Sequence, residues 1–289
     1  MPAITLTCPA KINLFLTIQG KRPDGYHDLG TLFQTLDFGD TLQAEPWDRV
    51  ELRGAEGIPG NIRDNLILKA VALLQNRYSD RMGPGRGILF TLTKHLPFGA
   101  GLGGGSSNAA IALILANRIW GLSLKPQELH ELGCELGSDV PFFLQGGTAF
   151  GEGRGEMLTP APKPFPFHVV VATPACQVET AWAYQNLGPA KSPDRWHDFK
   201  AQYSAHCGEP AFYSQLHNDF EEPIAAHFPE IQRVREILRS FKPVKAMLTG
   251  SGASLFALFT LESDAKACLE AVQPHCRFST LARFSAPSI

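Results

Sequence analysis

Apolar and polar side chains alternate along Lys11–Gln19 (KINLFLTIQ) and again along Leu29–Phe38 (LGTLFQTLDF), the period of two expected of strands. Between them stands Pro23-Asp24-Gly25. Proline's fixed φ and glycine's tolerance of positive φ make that a turn, so the pair reads as a hairpin. Further on the period lengthens. In Asn65–Tyr78, Leu66, Ala70, Val71 and Leu74 recur at helical spacing behind an asparagine able to cap the helix. Gly87–Thr93 reads as a strand, Ser106–Trp120 as a helix with a serine able to cap its start, and Pro126–Leu136 as a helix opening with proline in its first turn.

Prolines at 160, 162, 164 and 166 can continue neither a helix nor a central strand, and they suggest a boundary between domains spanning 1–157 and 158–289. Beyond it the pattern predicts a buried strand at Phe167–Thr173, an amphipathic helix at Ile231–Phe241 and strands at Lys245–Leu248 and Leu255–Thr260. These last two flank Gly250-Ser251-Gly252. A helix at Ser263–Val272 and a last strand at Arg277–Phe284 complete a β-α-β-β-α-β order. Lys191–Tyr213 carries too little periodicity for an assignment.

The 289 residues suit one large domain or two ordinary ones, at roughly 100–200 residues per domain. Lys plus Arg number 26 against 28 Asp plus Glu, with no dense basic run, which argues against nucleic acid as a partner. Six cysteines without C-x-x-C spacing read as free thiols in a reducing compartment, and the cytoplasm is the expected location. Met1–Ile18 lacks the basic start and unbroken apolar stretch of a signal peptide, and no apolar run reaches the about 18 residues of a membrane span. The nine histidines show no H-E-x-x-H spacing, so zinc is not expected. The pattern does not set an oligomeric state.

The segment richest in chemistry is Leu96–Ala110 (LPFGAGLGGGSSNAA), where five glycines in seven residues run into a helix. Without Cβ atoms, such a loop lets backbone N–H groups close on a ligand, and the helix start adds unpaired donors and the positive end of a dipole. This is an anion site, for which phosphate is the natural occupant; the alternative is a flexible turn. Gly99-x-Gly101-x-x-Gly104 formally matches the dinucleotide fingerprint. Yet Lys94–Phe98 separates it from the preceding strand, and no acid-terminated strand follows about 20 residues later. No Gly-Lys-Ser/Thr completes a P-loop either.

Four motifs in order, Pro9-Ala10-Lys11-Ile12-Asn13-Leu14, Leu96-Pro97 through Ala110, Gly137-Ser138-Asp139-Val140-Pro141 and Leu248-Thr249-Gly250-Ser251-Gly252-Ala253, resemble those of the GHMP small-molecule kinase superfamily. The resemblance implies an α+β, two-domain fold. Its N-terminal domain would be like domain 2 of ribosomal protein S5 and its C-terminal domain ferredoxin-like, with the active site in the cleft between them. The triple-glycine loop and Gly25-Tyr26-His27 point to the branch that moves the γ-phosphoryl group of ATP to the cytidine diphosphate derivative of methylerythritol, in the non-mevalonate route to isoprenoids. Mevalonate, homoserine or a sugar is the alternative acceptor, and a catalytically idle nucleotide-binding module is a third possibility.

The resemblance assigns Asp139 as acceptor of the hydroxyl proton, although the same residue could simply cap a short helix starting near Val140-Pro141. It sets Lys11 beside that carboxylate, where a cation favours charge developing on the hydroxyl oxygen; a snorkelling strand lysine is the plain alternative. Tyr26 and His27 would stack on and hydrogen-bond the cytosine, with Tyr184 on its far side and Asn13 orienting the alcohol. Gly250, Ser251 and Gly252 would close the acceptor end, or serve only as a hairpin turn. For ATP the implied set is Pro97, Gly99, Gly101, Leu102, Gly103, Gly104, Gly105, Ser106 and Ser107 around the phosphates. Asn65 and Leu66 would lie by the adenine, with Lys94 on the flank. Asn65 also reads as a helix cap. Magnesium is expected between the β and γ phosphates, with Ser107 one possible ligand.

Overall fold

Residues 2–56, 58–82, 87–187 and 194–286 are described by a computed structural model of the chain. β1 (Ile4–Lys21) and β2 (His27–Trp47) form a long antiparallel hairpin, and Gly25 in its turn has φ +87°. The far edge of β2 is shared by two strands. β4 (Gly87–Thr93) pairs with residues 41–47 and β5 (Thr148–Glu152) with residues 31–34. β3 (Glu51–Arg53) adds in parallel outside β4, and β6 (Met157–Pro160) antiparallel outside β5. The hairpin register shifts between Pro9 and Lys11 and between Asn13 and Phe15. Such bulges re-aim side chains, and these two bracket Lys11 and Asn13.

Against one face of this sheet pack α1 (Leu66–Tyr78), α2 (Gly104–Trp120), α3 (Pro126–Leu136) and α4 (Val140–Gln145). In α2 every residue from Ser107 to Ala116 is buried, as expected of a helix apolar on all sides. Its start corrects the serine cap expected from sequence. The helix begins at Gly104, with Gly103 at the cap in the left-handed region (φ +73°) and no side chain capping it. The first-turn amides therefore remain available to something outside the helix.

The second sheet contains β7 (His168–Thr173), β8 (Lys245–Leu248), β9 (Leu255–Phe259) and β10 (Phe278–Arg283), in the order β10-β7-β9-β8 and antiparallel throughout. Between β7 and β8 run α5 (Thr180–Gln185), α6 (Asp194–His206), α7 (Glu221–His227) and α8 (Pro229–Ser240); α9 (Glu262–Val272) joins β9 to β10. This is the β-α-β-β-α-β order with extra helices in its first crossover.

The stretch left unassigned from sequence contains α6 and a 3₁₀ turn over Pro210–Gln215, with residues 191–193 outside the described set. Trp196, Phe199 and Tyr203 give α6 its one buried stripe, and Phe199 stacks on Phe15 of β1 at 3.9 Å. Three aromatics among polar neighbours make a weak periodic signal, yet they join the two halves of the molecule. Among the described residues no helix is long and apolar enough to cross a membrane. All six cysteines are unbridged, and burial pushes the thiols of Cys276 and Cys268 up to about 11 and about 12.

Asp219 forms a second tie. Its carboxylate accepts from Ile18 N (2.7 Å), Thr17 Oγ1 (2.8 Å) and His217 Nε2 (2.7 Å). Burial works to raise its pKa, but these hydrogen bonds together hold it below the usual carboxylate range. A lowered folded-state pKa stabilises the fold above the unfolded value of about 3.9, and that contribution disappears as pH falls through the folded value. Urea unfolding of Asp219→Asn should show a deficit against wild type near neutrality that narrows steadily below about pH 4. A deficit independent of pH would contradict the electrostatic origin.

Candidate active site

The glycine segment, the start of α2, the β1–β2 hairpin and the β8–β9 turn enclose one cleft of about 1630 Å³. All the site residues expected from sequence line its wall except Ser107 and Gly252. Gly252 packs behind the wall, where a Cβ would stand 3.5 Å from Val178.

The glycine segment is tightly held. At Gly101 (φ +76°) a Cβ would lie 2.8 Å from the carbonyls of both Thr249 and Gly252, and at Gly103 it would lie 2.6 Å from the Phe143 ring. Ser254 N donates to Ala100 O (3.1 Å) and Arg277 Nη2 to Phe98 O (2.7 Å), so the second sheet braces the loop from behind. These glycines are required by positive φ and close approach together. Lys94 pairs with the fully buried Asp40, whose other oxygen accepts from His95 N and Leu96 N at 2.8 Å each. That anchors the strand-to-loop junction and leaves the Lys94 ammonium beside Gly104, where a Cβ would be 3.4 Å away. Asn65 does cap α1, accepting from Ile67 N at 2.9 Å, while lining the cleft.

At the centre, Lys11 Nζ donates to Asn13 Oδ1 (2.7 Å) and lies 3.4 Å from Asp139 Oδ2. Lys11 is 5% exposed and Asp139 33%, so the lysine is buried in the wall and the carboxylate faces the cleft. Asp139 occupies the cap position of α4, yet its side chain makes no capping hydrogen bond; the plain capping reading fails and the side chain is free for the ion pair. Lys11 is likewise no snorkelling edge residue, since its backbone N donates to Leu102 O (3.0 Å) inside the glycine segment. Asn13 is fixed in turn, donating from Nδ2 to Thr31 Oγ1 (2.8 Å) and from its amide to Thr249 Oγ1 (2.9 Å). Thr31, Thr249 and Asn218 escaped sequence reasoning. Asn218 donates to the carbonyls of Leu248 and Gly250 and shapes the turn beneath the site. Only Thr249, inside a quoted motif, had a signal that could have exposed it.

The far end of the cleft is aromatic. His27 stacks directly on Tyr184 (4.8 Å between ring centres, 27° between planes), while Tyr26 is 56% exposed with the Arg154 guanidinium 4.9 Å above its ring. His27 and Tyr184 touch, so no base fits between those two rings as they stand, while Tyr26 and Tyr184, expected from sequence on opposite sides of the base, both line the cleft. Burial, with a smaller contribution from Asp139, pushes the Tyr184 hydroxyl up to about 12, so it remains a neutral donor at physiological pH.

Two family models match the chain, "GHMP kinases N terminal domain" over residues 65–147 and "GHMP kinases C terminal" over residues 207–277. With the glycine cradle and the lysine–aspartate pair on one cleft, they accompany relatives that cover nearly the whole chain: the chain belongs to the GHMP kinase family. Within it, the chain is 42% identical to the 4-diphosphocytidyl-2-C-methyl-D-erythritol kinase of Marinobacter nauticus, over 91% of this chain and 88% of that one. It is 38% identical to the enzyme of the same name from Chloroherpeton thalassium, over 93% and 94%. A crystal structure of 4-(cytidine 5'-diphospho)-2C-methyl-D-erythritol kinase superposes with a TM-score of 0.80 at 32% identity, covering 98% of this chain and all of that one. The homoserine kinase of Cytophaga hutchinsonii, at 18% identity and a TM-score of 0.76, shares the fold.

Gly103→Ala should lower the unfolding free energy by about 1–3 kcal/mol, because alanine is strained at positive φ and its methyl group must displace the Phe143 ring. Thermal unfolding measures this, and an unchanged midpoint would show that the loop yields.

Proposed function

We propose that this protein transfers the γ-phosphoryl group of ATP to the 2-hydroxyl of 4-diphosphocytidyl-2-C-methyl-D-erythritol, a step of isoprenoid precursor synthesis, in the cytoplasm. The observation that carries the reading is the Lys11–Asp139 pair at 3.4 Å, on the wall that also holds the free amides of α2 at one end and the Tyr26, His27 and Tyr184 rings at the other. The proline-rich stretch after β6 then joins a nucleotide-binding half to a half that closes the cleft, a few residues beyond the boundary expected between 1–157 and 158–289, because residues 157–160 pair with β5 in the first sheet.

In this mechanism the amides of Gly103–Ser106 and the Lys94 ammonium hold the donor's phosphates, and Asn65 and Leu66 flank its base. Asp139 accepts the proton of the acceptor hydroxyl as its oxygen bonds to the γ-phosphorus and the bond from that phosphorus to the departing ADP oxygen breaks. Lys11 places its charge where the attacking oxygen gains negative character, and Asn13 holds the lysine in line. The donor set suits magnesium. The Ser107 hydroxyl and Asn108 Oδ1 are buried without a hydrogen-bond partner, and among the described residues no three His, Cys, Asp or Glu side chains gather. Hard oxygen donors in small number are what a magnesium shared with substrate phosphates takes from a protein; Asn108, which lines the cleft, would hold it, with the Ser107 hydroxyl buried just behind the wall beside it. When bound, the metal would offset the negative charge of the donor's phosphates.

Asp139→Asn should keep the KM for both substrates within about threefold and lower kcat by about 10²–10⁴, the usual contribution of general-base catalysis. Near-normal turnover would remove the residue from that role. For the acceptor, ADP release should be measured with the cytidylated alcohol beside mevalonate and homoserine. Only the first should consume ATP; turnover of either of the others in its place would sink the reading. Tyr26→Ala should raise the KM for the cytidylated acceptor by about tenfold, the loss of one stacked base.

A further inference from the structure

Among the described residues lining the cleft, the lysines and arginines are Lys11, Lys21, Lys94 and Arg154. Lys11 is engaged with Asn13 and Asp139, Lys94 with Asp40, and Lys21 is exposed at the end of β1. Arg154 differs from all three. Its guanidinium lies over Tyr26, its Nε is a loose 3.7 Å from Glu156, and its two terminal nitrogens hydrogen-bond to no described residue.

The turn that presents it is built to hold still. Gly153 (φ +68°) and Gly155 (φ +110°) bracket Arg154 in the left-handed region, which lets four residues reverse the chain between β5 and β6. Gly153 O accepts from Leu29 N (2.8 Å), two residues past His27, and Arg154 N donates to Glu156 Oε2 (2.7 Å). Just upstream, Glu152 accepts from Trp196 Nε1 (2.7 Å) and Lys200 Nζ (2.6 Å). Because β5 pairs with β2 through Thr31 and Gly151, the turn arrives beside the start of β2, next to Tyr26.

A cytidylated acceptor brings a diphosphate into the aromatic end of the cleft, and charge on that diphosphate needs a partner that the proton-transfer machinery cannot spare. We propose that Arg154 binds the diphosphate of the acceptor: braced on Tyr26, it turns its two free nitrogens to phosphate oxygens and so selects an acceptor carrying both a base and a diphosphate. Guanidinium is suited to this, since its planar fork pairs with two phosphate oxygens at once while its face stacks on an aromatic ring. Gly153-x-Gly155 around a basic residue is the trace this leaves in the sequence.

The inference rests on the acceptor reading above, and inhibition separates the two. Cytidine and CDP are each titrated as inhibitors competing with the acceptor at saturating ATP, for wild type, Arg154→Gln and Arg154→Lys, with thermal unfolding confirming intact folds. Arg154→Gln should weaken CDP about 10- to 100-fold, the loss of a charged hydrogen-bonded pair, and leave cytidine and the KM for ATP unchanged; Arg154→Lys should recover part of the loss. Equal weakening of cytidine and CDP would mean that Arg154 only steadies Tyr26, and no change in either would remove it from the site; both overturn the proposal while the acceptor reading stands. A wild-type enzyme that ignores the cytidylated acceptor overturns both.

Discussion

Lys11 is fixed at three points by three different parts of the chain, and the cleft depends on that convergence. Its backbone amide is taken by Leu102 in the glycine segment, and its ammonium is shared between Asn13 on its own strand and Asp139 at the start of α4. A lysine only 5% exposed is costly to desolvate, so the wall must supply both an anion and a hydrogen-bond acceptor. Meeting that demand brings β1, the glycine segment and α4 into one register. The Asp139 carboxylate is thereby held on the same cleft wall as the first turn of α2.

The same logic recurs around the site. Asp40 is buried completely and satisfied by Lys94 and two backbone amides, which fixes where β4 ends and the glycine segment begins. Asn218 donates to two carbonyls of the β8–β9 turn, and Thr249 within that turn accepts from the backbone amide of Asn13. In the early turns of α2, the Ser107 hydroxyl and Asn108 Oδ1 are buried without a hydrogen-bond partner among the described residues.

Homoserine kinase shares this fold at 18% identity, so the framework alone does not choose an acceptor. The far end of this cleft carries an exposed Tyr26 backed by Arg154, and His27 stacked on Tyr184. Tyr26 and Arg154 come from turns, which can vary without disturbing the packing beneath, while His27 opens β2 and Tyr184 sits on α5.

The amino-acid order by itself determined the long-period features: the hairpin, the apolar α2, the glycine segment before it and the β-α-β-β-α-β succession. Each is a local pattern, set by side-chain periodicity or by glycine and proline torsions. It could not place α6, whose aromatic stripe has meaning only against Phe15 and Phe150, nor exclude capping by Asp139, because a capping aspartate and a paired one occupy the same position. Tertiary structure alone decided that Lys11 meets Asp139, that His27 lies on Tyr184, and that Arg154 reaches Tyr26. Those contacts join residues up to 157 positions apart or lie between connections, and they exist only once the sheets, the helices and the turns between them have been packed together.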